Sequence, residues 1–349
     1  MLKMYEQEHN MKCRFVQDIA GLVLILMTAG VGHAEHRASW MQKAKWGVMN
    51  HYLADWIAKT DNIPMSVERW NQLVDNFDVE GLAEQVKSVG AGYYIITIGQ
   101  NSGYYLAPNP VYDQLTGIQP SKCSRRDLVS DLSAALTRRG IRLIVYLPAG
   151  APSRDRLACQ TLQWKDGADR NLEFQLRWEK IIRDWSIRWG DKVSGWWFDG
   201  CYWPNTMYRY EQPPNFASFA AAARAGNSAS IVAFNPGVVD RIISVTPHED
   251  YSAGEINEPE RLMIRRSVDG LMDGSQVHVL SYLGQTWGMG QPRFSAEQVS
   301  EWSRRIVQYQ GAVTWDVPIQ PSGLMAQVFM DQLKVIGAAV AAVNPEISR

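Results

Sequence analysis

The chain has little of what would commit it to several large functional classes. It carries 35 Lys and Arg against 36 Asp and Glu, a formal net charge of −1. That balance gives no electrostatic footprint for nucleic acid or an anionic membrane surface. Its four cysteines form no CxxC pair and no Cys/His cluster, which argues against a structural zinc site. No HxH follows the first predicted strand, so a metal-dependent amidohydrolase has no support. No glycine-rich loop follows it either, which removes the phosphate cradle of a dinucleotide-binding sheet. Internal repeats and low-complexity linkers are missing, and apart from residues 19–31 no run approaches membrane-spanning length. The expectation is therefore one domain, no cofactor and no metal.

What the chain has in abundance is aromatic: 14 Trp and 14 Tyr in 349 residues. Tryptophan fills cores, but its flat apolar face also stacks on the C–H faces of sugar rings. The N-terminal part has its own character. From Met11 it reads MKCRFVQDIAGLVLILMTAGVGHAEH, with basic residues first, a short apolar run over 19–31 and a small-residue exit before Glu35. Those are the three parts of a secretory signal, the alternative being a retained anchor. The expected organisation is a signal over 1–34, starting at Met11, and a mature domain over 35–349, secreted or periplasmic. Cys123, Cys159 and Cys201 then remain, and the first two could pair in an oxidising compartment, although spacing does not fix connectivity.

Short apolar runs rich in β-formers alternate with amphipathic stretches. Strands are predicted over 46–53, 92–99, 141–150, 193–200, 230–235, 248–255, 276–284 and 312–319. Helices are predicted over 78–91, 124–140, 172–190, 295–310 and 325–343. In the first, Val79, Leu82, Val86 and Val89 mark one buried face. In the second, Ser124 serves as N-cap and Gly140 as stop. Eight strands mostly followed by helices predict an α/β fold, a single-domain (β/α)8 TIM barrel, with a short fifth-to-sixth connection lacking a long helix.

In such barrels chemistry gathers at the C-terminal strand ends. The stretch VSGWWFDGCYW drives an apolar run into Asp199, which ends the fourth strand, and Glu255 ends the sixth in DYSAGEINEP. Two carboxyls facing one mouth can divide the work of glycosidic cleavage. Taken alone, Asp199 is equally a strand-end aspartate capping the turn before Gly200. Glu255 alone is more readily a solvated loop residue, with Glu249, Asp250 and Glu258 as competitors. His51, at the end of the first strand, is by itself more often a hydrogen-bonded core histidine than a catalytic one.

The segments taken together resemble the catalytic barrel of the α-L-fucosidases, glycoside hydrolase family 29. WGVMNHYLADW resembles the family's first-strand motif, whose histidine reads the sugar and maps onto His51. FDVEGLAEQVKSVGAGYYIITIG is similar to its first helix and second strand. RRDLVSDLSAALTRRGIRLIVYLPAG is the most specific match. GWWFDG resembles the strand carrying the nucleophile, which implies that role for Asp199, and EDYSAGE the segment carrying the acid/base, which implies Glu255. YLGQTWGMGQPRFSAEQV and YQGAVTWDVPIQPSGLM resemble the closing strands, so that the likeness runs over residues 45 to 343.

Three departures accompany it. Gln100 and Asn101 stand where the family usually has two adjacent histidines on the sugar's hydroxyls. Asn235 and Pro236 stand near the position of a usual arginine. The family's C-terminal β-sandwich has no counterpart in the sequence. The resemblance thus implies a retaining exo-glycosidase, α-L-fucosidase-like, with Asp199 and Glu255 catalytic. His51, Gln100, Asn101, Trp197 and Trp287 are expected to bind substrate. The departures keep open a relative acting on another sugar, or a barrel that binds carbohydrate without cleaving it. A surface protein using its tryptophans as contacts is a weaker alternative. The partner expected is a carbohydrate; no nucleic acid, no membrane span in the mature chain and no protein partner is indicated.

Overall fold

A computed structural model describes residues 36–165, 167, 169–262 and 270–343. The expected signal lies outside these. Seven parallel strands form one curled sheet: β1 Trp46–Asn50, β2 Tyr93–Thr97, β3 Arg142–Pro148, β4 Gly195–Asp199, β5 Ile231–Phe234, β6 His278–Tyr282 and β7 Ala312–Asp316. Their order is β5-β4-β3-β2-β1-β7-β6, and every pairing is parallel. Helices α1 Val79–Ser88, α2 Leu128–Thr137, α3 Leu172–Trp189, α4 Phe216–Ala223, α5 Ala296–Gln308 and α6 Gln327–Ala341 connect them, with further helices between.

The strand pattern sorts the side chains into two layers. Alternate side chains point to opposite faces, so Tyr93 and Ile95 pack with Met49, Ile144, Tyr146 and Trp197 in an inner cluster. Tyr94 and Ile96 belong to the larger outer cluster, together with Leu82 and Val86 of α1. The inner face is not wholly apolar: Tyr93 Oη and His278 Nε2 both reach Thr314 Oγ1, at 2.9 and 2.8 Å. Burial pulls the His278 pKa down to about 4, which suits a neutral ring accepting or donating within this network.

Two sequence expectations are corrected. Ser124 does not cap α2; Asp127 does, accepting from the Ser130 amide at 3.0 Å, while the Ser124 hydroxyl donates to the Arg126 carbonyl. The predicted strand 248–255 is not a regular strand. Its Asp250 amide donates to the Val232 carbonyl of β5, and its Tyr251 and Glu255 form isolated parallel bridges to Gln276 and Leu280. Two causes are visible. The β5 amides of Val232 and Phe234 are taken by the side chains of Asp250 and Glu249 rather than by a ladder partner. Gly254 adopts φ +64°, and a Cβ there would lie 1.9 Å from the His278 carbonyl oxygen, so the chain turns where a strand would run straight. The segment passes between β5 and β6 as an irregular element. No helix is described between β5 and this segment, as the short connection implied.

Among the described residues no helix is long and apolar enough to cross a membrane, and Cys123 and Cys201 are free thiols.

Candidate active site

Asp199 closes β4, and Gly200 follows in the left-handed conformation at φ +80°, which glycine adopts without a Cβ penalty. This turn folds the Gly200 amide back onto Asp199 Oδ1 at 2.8 Å. The turn-capping bond expected of an ordinary strand-end aspartate is therefore made, but others accompany it. Tyr146, paired with Trp197 in the β3–β4 register and so pointing inward with Asp199, donates its hydroxyl to Oδ2 at 2.5 Å. Asn235, the residue after β5, donates to Oδ1 at 2.8 Å. Its place is set by the backbone, since its amide bonds to the Phe198 carbonyl and its carbonyl to the Cys201 amide.

The same Asn235 Nδ2 also donates to Glu255 Oε2. Two oxygens bonded to one nitrogen lie no more than two hydrogen-bond lengths apart, about 5–6 Å. Burial, and then the charge of Asp199, push the Glu255 pKa up to about 7; the Asn235 bond and His51 oppose that rise. Glu255 is thus a carboxyl that holds its proton near neutrality, beside a second carboxyl that accepts on both oxygens. The competing acids are otherwise engaged. Glu249 is buried and caps the Val245 and Phe234 amides, with burial raising its pKa to about 8. Asp250 pairs with Arg37 and Arg224, and Glu258 does not line the pocket.

Both carboxyls open into a pocket of about 210 Å³ whose walls are largely aromatic: Trp56, Tyr146, Trp197, Tyr202 and Trp287. His51 stands among them, stacked on Trp56 at 5.1 Å between ring centres and edge-on to Tyr146 and Trp287. Its Nδ1 is bound to the buried Asp316 Oδ1 at 2.8 Å, and the Gly288 amide donates to Asp316 Oδ2 at 2.5 Å. A carboxylate on Nδ1 holds a proton there and fixes the ring's orientation. Gln100 lines the pocket and donates to Tyr146 Oη at 2.6 Å, so Asn101, Gln100, Tyr146 and Asp199 form one hydrogen-bonded chain. Asn101 itself lines an adjoining cleft of about 450 Å³, which shares Gln100, Asp199 and Tyr202 with the pocket. Trp197 donates its indole N–H to the Ala253 carbonyl and lies parallel to Tyr146, presenting a wall rather than a polar group.

Of the residues expected from sequence, His51, Gln100, Trp197, Trp287, Asp199 and Glu255 meet in this pocket, and Asn101 stands one step outside it. Tyr146, Asn235 and Asp316 were not among them. Asp316 had the same signature as Asp199, a carboxylate closing an apolar strand. Tyr146 looked like one more apolar strand residue, because a phenol's polar tip is invisible to periodicity. Among the described residues no group of His, Cys, Asp and Glu is arranged to hold a metal ion.

The family model described as "Alpha-L-fucosidase" matches residues 31–344, and the chain belongs to that family. No curated protein matches in sequence. Among solved structures, the chain is similar to an endo-fucoidan hydrolase of glycoside hydrolase family 107, with TM-score 0.66 and 19% identity over 86% of this chain. It spans 53% of that protein, about half its length. It is also similar to the α-L-fucosidase AlfC of Lactobacillus casei in complex with its α-L-fucose product, with TM-score 0.60 and 15% identity over 88% of this chain and 99% of that one. The α-L-fucosidase isoenzyme 1 of Paenibacillus thiaminolyticus gives TM-score 0.59 and 17% identity over 88% and 76%. At these identities the structures speak to the fold, and the family model to the membership.

Proposed function

Starting from membership in the α-L-fucosidase family, we propose that this glycoside hydrolase cleaves a terminal α-L-fucoside with retention of anomeric configuration. The Asp199 carboxylate attacks the anomeric carbon while the Glu255 proton passes to the departing glycosidic oxygen, breaking the C–O bond. In the second step Glu255 takes a proton from water, the water oxygen attacks the same carbon, and Asp199 leaves as carboxylate. His51 meets a sugar hydroxyl through Nε2, and Gln100 supplies the amide contact where relatives use histidine. Trp197 and Trp287 present faces to the ring's C–H edges, and Asn101 acts at the rim. The 248–255 segment stands in for the sixth strand, in chain order, of a (β/α)8 barrel. Export follows from residues 11–34, and N-terminal sequencing of the secreted form is expected to begin at Glu35.

The observation that supports this reading is Asn235, one amide bonded to both carboxyls across an aromatic pocket. Sharing one donor keeps the nearer oxygens of the two carboxyls within about 5–6 Å, which supports the closer pairing of retaining enzymes, about 5–5.5 Å, over the wider gap that admits a water. The test is hydrolysis of 4-nitrophenyl α-L-fucoside followed by NMR of the first product. Release of α-L-fucose before mutarotation is expected. Release of the β-anomer would overturn the retaining mechanism, and turnover of another aryl glycoside in its place would overturn the sugar.

A further inference from the structure

Glu255 ends a segment that no regular ladder holds, and the chain leaves the sheet directly after it. Toward β6, the Leu280 amide donates to the Gly254 carbonyl at 2.8 Å and the Ile256 amide to the Leu280 carbonyl at 2.9 Å. On the other side the Val239 amide donates to the Glu255 carbonyl at 3.2 Å. β6 itself ends at Tyr282, and the next hold on the segment comes from a side chain: Arg293 Nη2 donates to the Asn257 carbonyl at 2.6 Å. We propose that Arg293 is a positioning residue for Glu255, its guanidinium clasping the chain two residues past the acid/base and so keeping that carboxyl in the pocket; the proposal rests on the glycosidase reading above.

Arg293 is itself firmly placed. Its amide donates to the Leu283 carbonyl at 3.0 Å, so the chain that leaves β6 returns to it. Its Nε donates to the Tyr282 carbonyl at 3.2 Å, and Nη2 also donates to Ser281 Oγ at 3.4 Å. The guanidinium carbon lies 3.5 Å from the centre of the Tyr282 ring and 4.1 Å from that of Phe294. A planar fork that is stacked and hydrogen-bonded along its edges has little freedom to turn away, whereas a lysine would offer a point charge on a flexible stem. The loop that Arg293 closes also carries Trp287, edge-on to His51, and Gly288, whose amide donates to Asp316. One loop therefore supports both the aromatic wall of the pocket and the segment that bears Glu255.

The hold is one of position rather than charge. Burial and Asp199 raise the Glu255 pKa, Asn235 and His51 oppose them, and Arg293 is not among these influences. Tyr146 and Tyr202, the other ionisable groups close to Glu255, are kept neutral first by burial and then by the charge of Asp199. At Arg293, partial burial disfavours the guanidinium charge, while Tyr282, Glu258 and Glu260 favour it. Position and charge then predict opposite signs. Removing a cation that acted through space would raise the carboxyl's pKa. Releasing Glu255 from its buried place beside Asp199 would lower it, because both influences that raise it weaken.

Arg293→Met keeps an unbranched side chain against the two rings and removes every donor, and Arg293→Lys keeps the charge and a donor. Each is assayed as kcat/KM on methyl α-L-fucoside, whose leaving oxygen needs a proton, and on 4-nitrophenyl α-L-fucoside, whose leaving group departs without one. Arg293→Met should lower the first value by roughly 10- to 100-fold and the second by no more than about threefold. The alkaline limb for the methyl fucoside should move to lower pH, and Arg293→Lys should recover part of the loss. A parallel fall on both substrates, or a limb moved to higher pH, would overturn the positioning role. If Arg293→Met does not fold, Arg293→Lys reads the same ratio: a loss selective for the methyl fucoside supports the role, and an unchanged ratio overturns it. If the parent turns over neither fucoside, the catalytic reading fails. The hold is then read by NMR titration of the Glu255 carboxyl carbon: a pKa lowered by Arg293→Met supports it, and an unmoved or raised one overturns it.

Discussion

Tyr146 donates its hydroxyl to Asp199 Oδ2 at 2.5 Å while its ring lies parallel to Trp197, 5.2 Å away. The phenol is thereby fixed by stacking and in turn fixes the carboxylate from the side that Asn235 and Gly200 leave open. Burial and the charge of Asp199 hold the Tyr146 pKa well above its ordinary value, so it remains a donor at any working pH. Tyr146→Phe keeps the stacking and removes the bond. A hydrogen bond to a charged group contributes about 1.5–3 kcal/mol, so kcat/KM should fall roughly 10- to 100-fold with the melting temperature little changed. Steady-state kinetics alongside a thermal melt check this; an unchanged kcat/KM would remove Tyr146 from the positioning of Asp199.

The pH profile follows from Glu255. Its folded pKa, about 7, lies above its ordinary value, so the carboxyl is protonated below neutrality and loses that proton as pH rises. The required acid is therefore present on the low side, and kcat/KM should decline above about pH 7, tenfold per pH unit. Glu255→Gln should abolish that limb for substrates with poor leaving groups and spare those with activated aryl groups, which depart without a proton. A limb that persists in the variant would point to another acid.

Asn235 ties the two carboxyls together, and its bond to Glu255 favours the ionised form. Asn235→Ala should therefore move the alkaline limb to higher pH as well as lower kcat, since both carboxyls lose an orienting donor. A variant with reduced rate and an unmoved limb would show that Asn235 acts on Asp199 alone.

The contrast between what was legible and what was not runs along the chemistry of side chains. Strand and helix positions, and the carboxylates at strand ends, are periodic or terminal features, from which Asp199, Glu255 and His51 stood out as candidates; their roles came from the family resemblance. Helix α1 and the buried faces of β1 to β4 fell where hydrophobic spacing put them, within a few residues. The sixth strand looked regular because DYSAGE alternates well enough. What broke it, side chains of Glu249 and Asp250 capping β5 and a left-handed Gly254, are long-range and conformational facts that a linear pattern does not carry. Asn235 was visible only as the residue standing where an arginine was expected. That one nitrogen would reach two carboxyls depends on the register of β4 against β5.

Asp316 is fully buried and accepts from His51 Nδ1 and the Gly288 amide. Asp316→Ala strands both donors and frees the imidazole to turn. A destabilisation of about 2–4 kcal/mol is expected in urea unfolding, with a raised KM in whatever remains folded. Unfolding that matches the parent would mean that His51 is held by its aromatic neighbours alone.

The account stands or falls on Asp199 forming a bond to the sugar. The direct measurement is chemical rescue of Asp199→Gly by azide, with 4-nitrophenyl α-L-fucoside as substrate. The variant should be inactive alone and regain turnover with azide, giving β-fucosyl azide, the inverted product of a small anion occupying the carboxylate's place. Substantial hydrolysis by the variant without azide, or rescue giving the α-azide, would contradict the assignment of Asp199 as nucleophile.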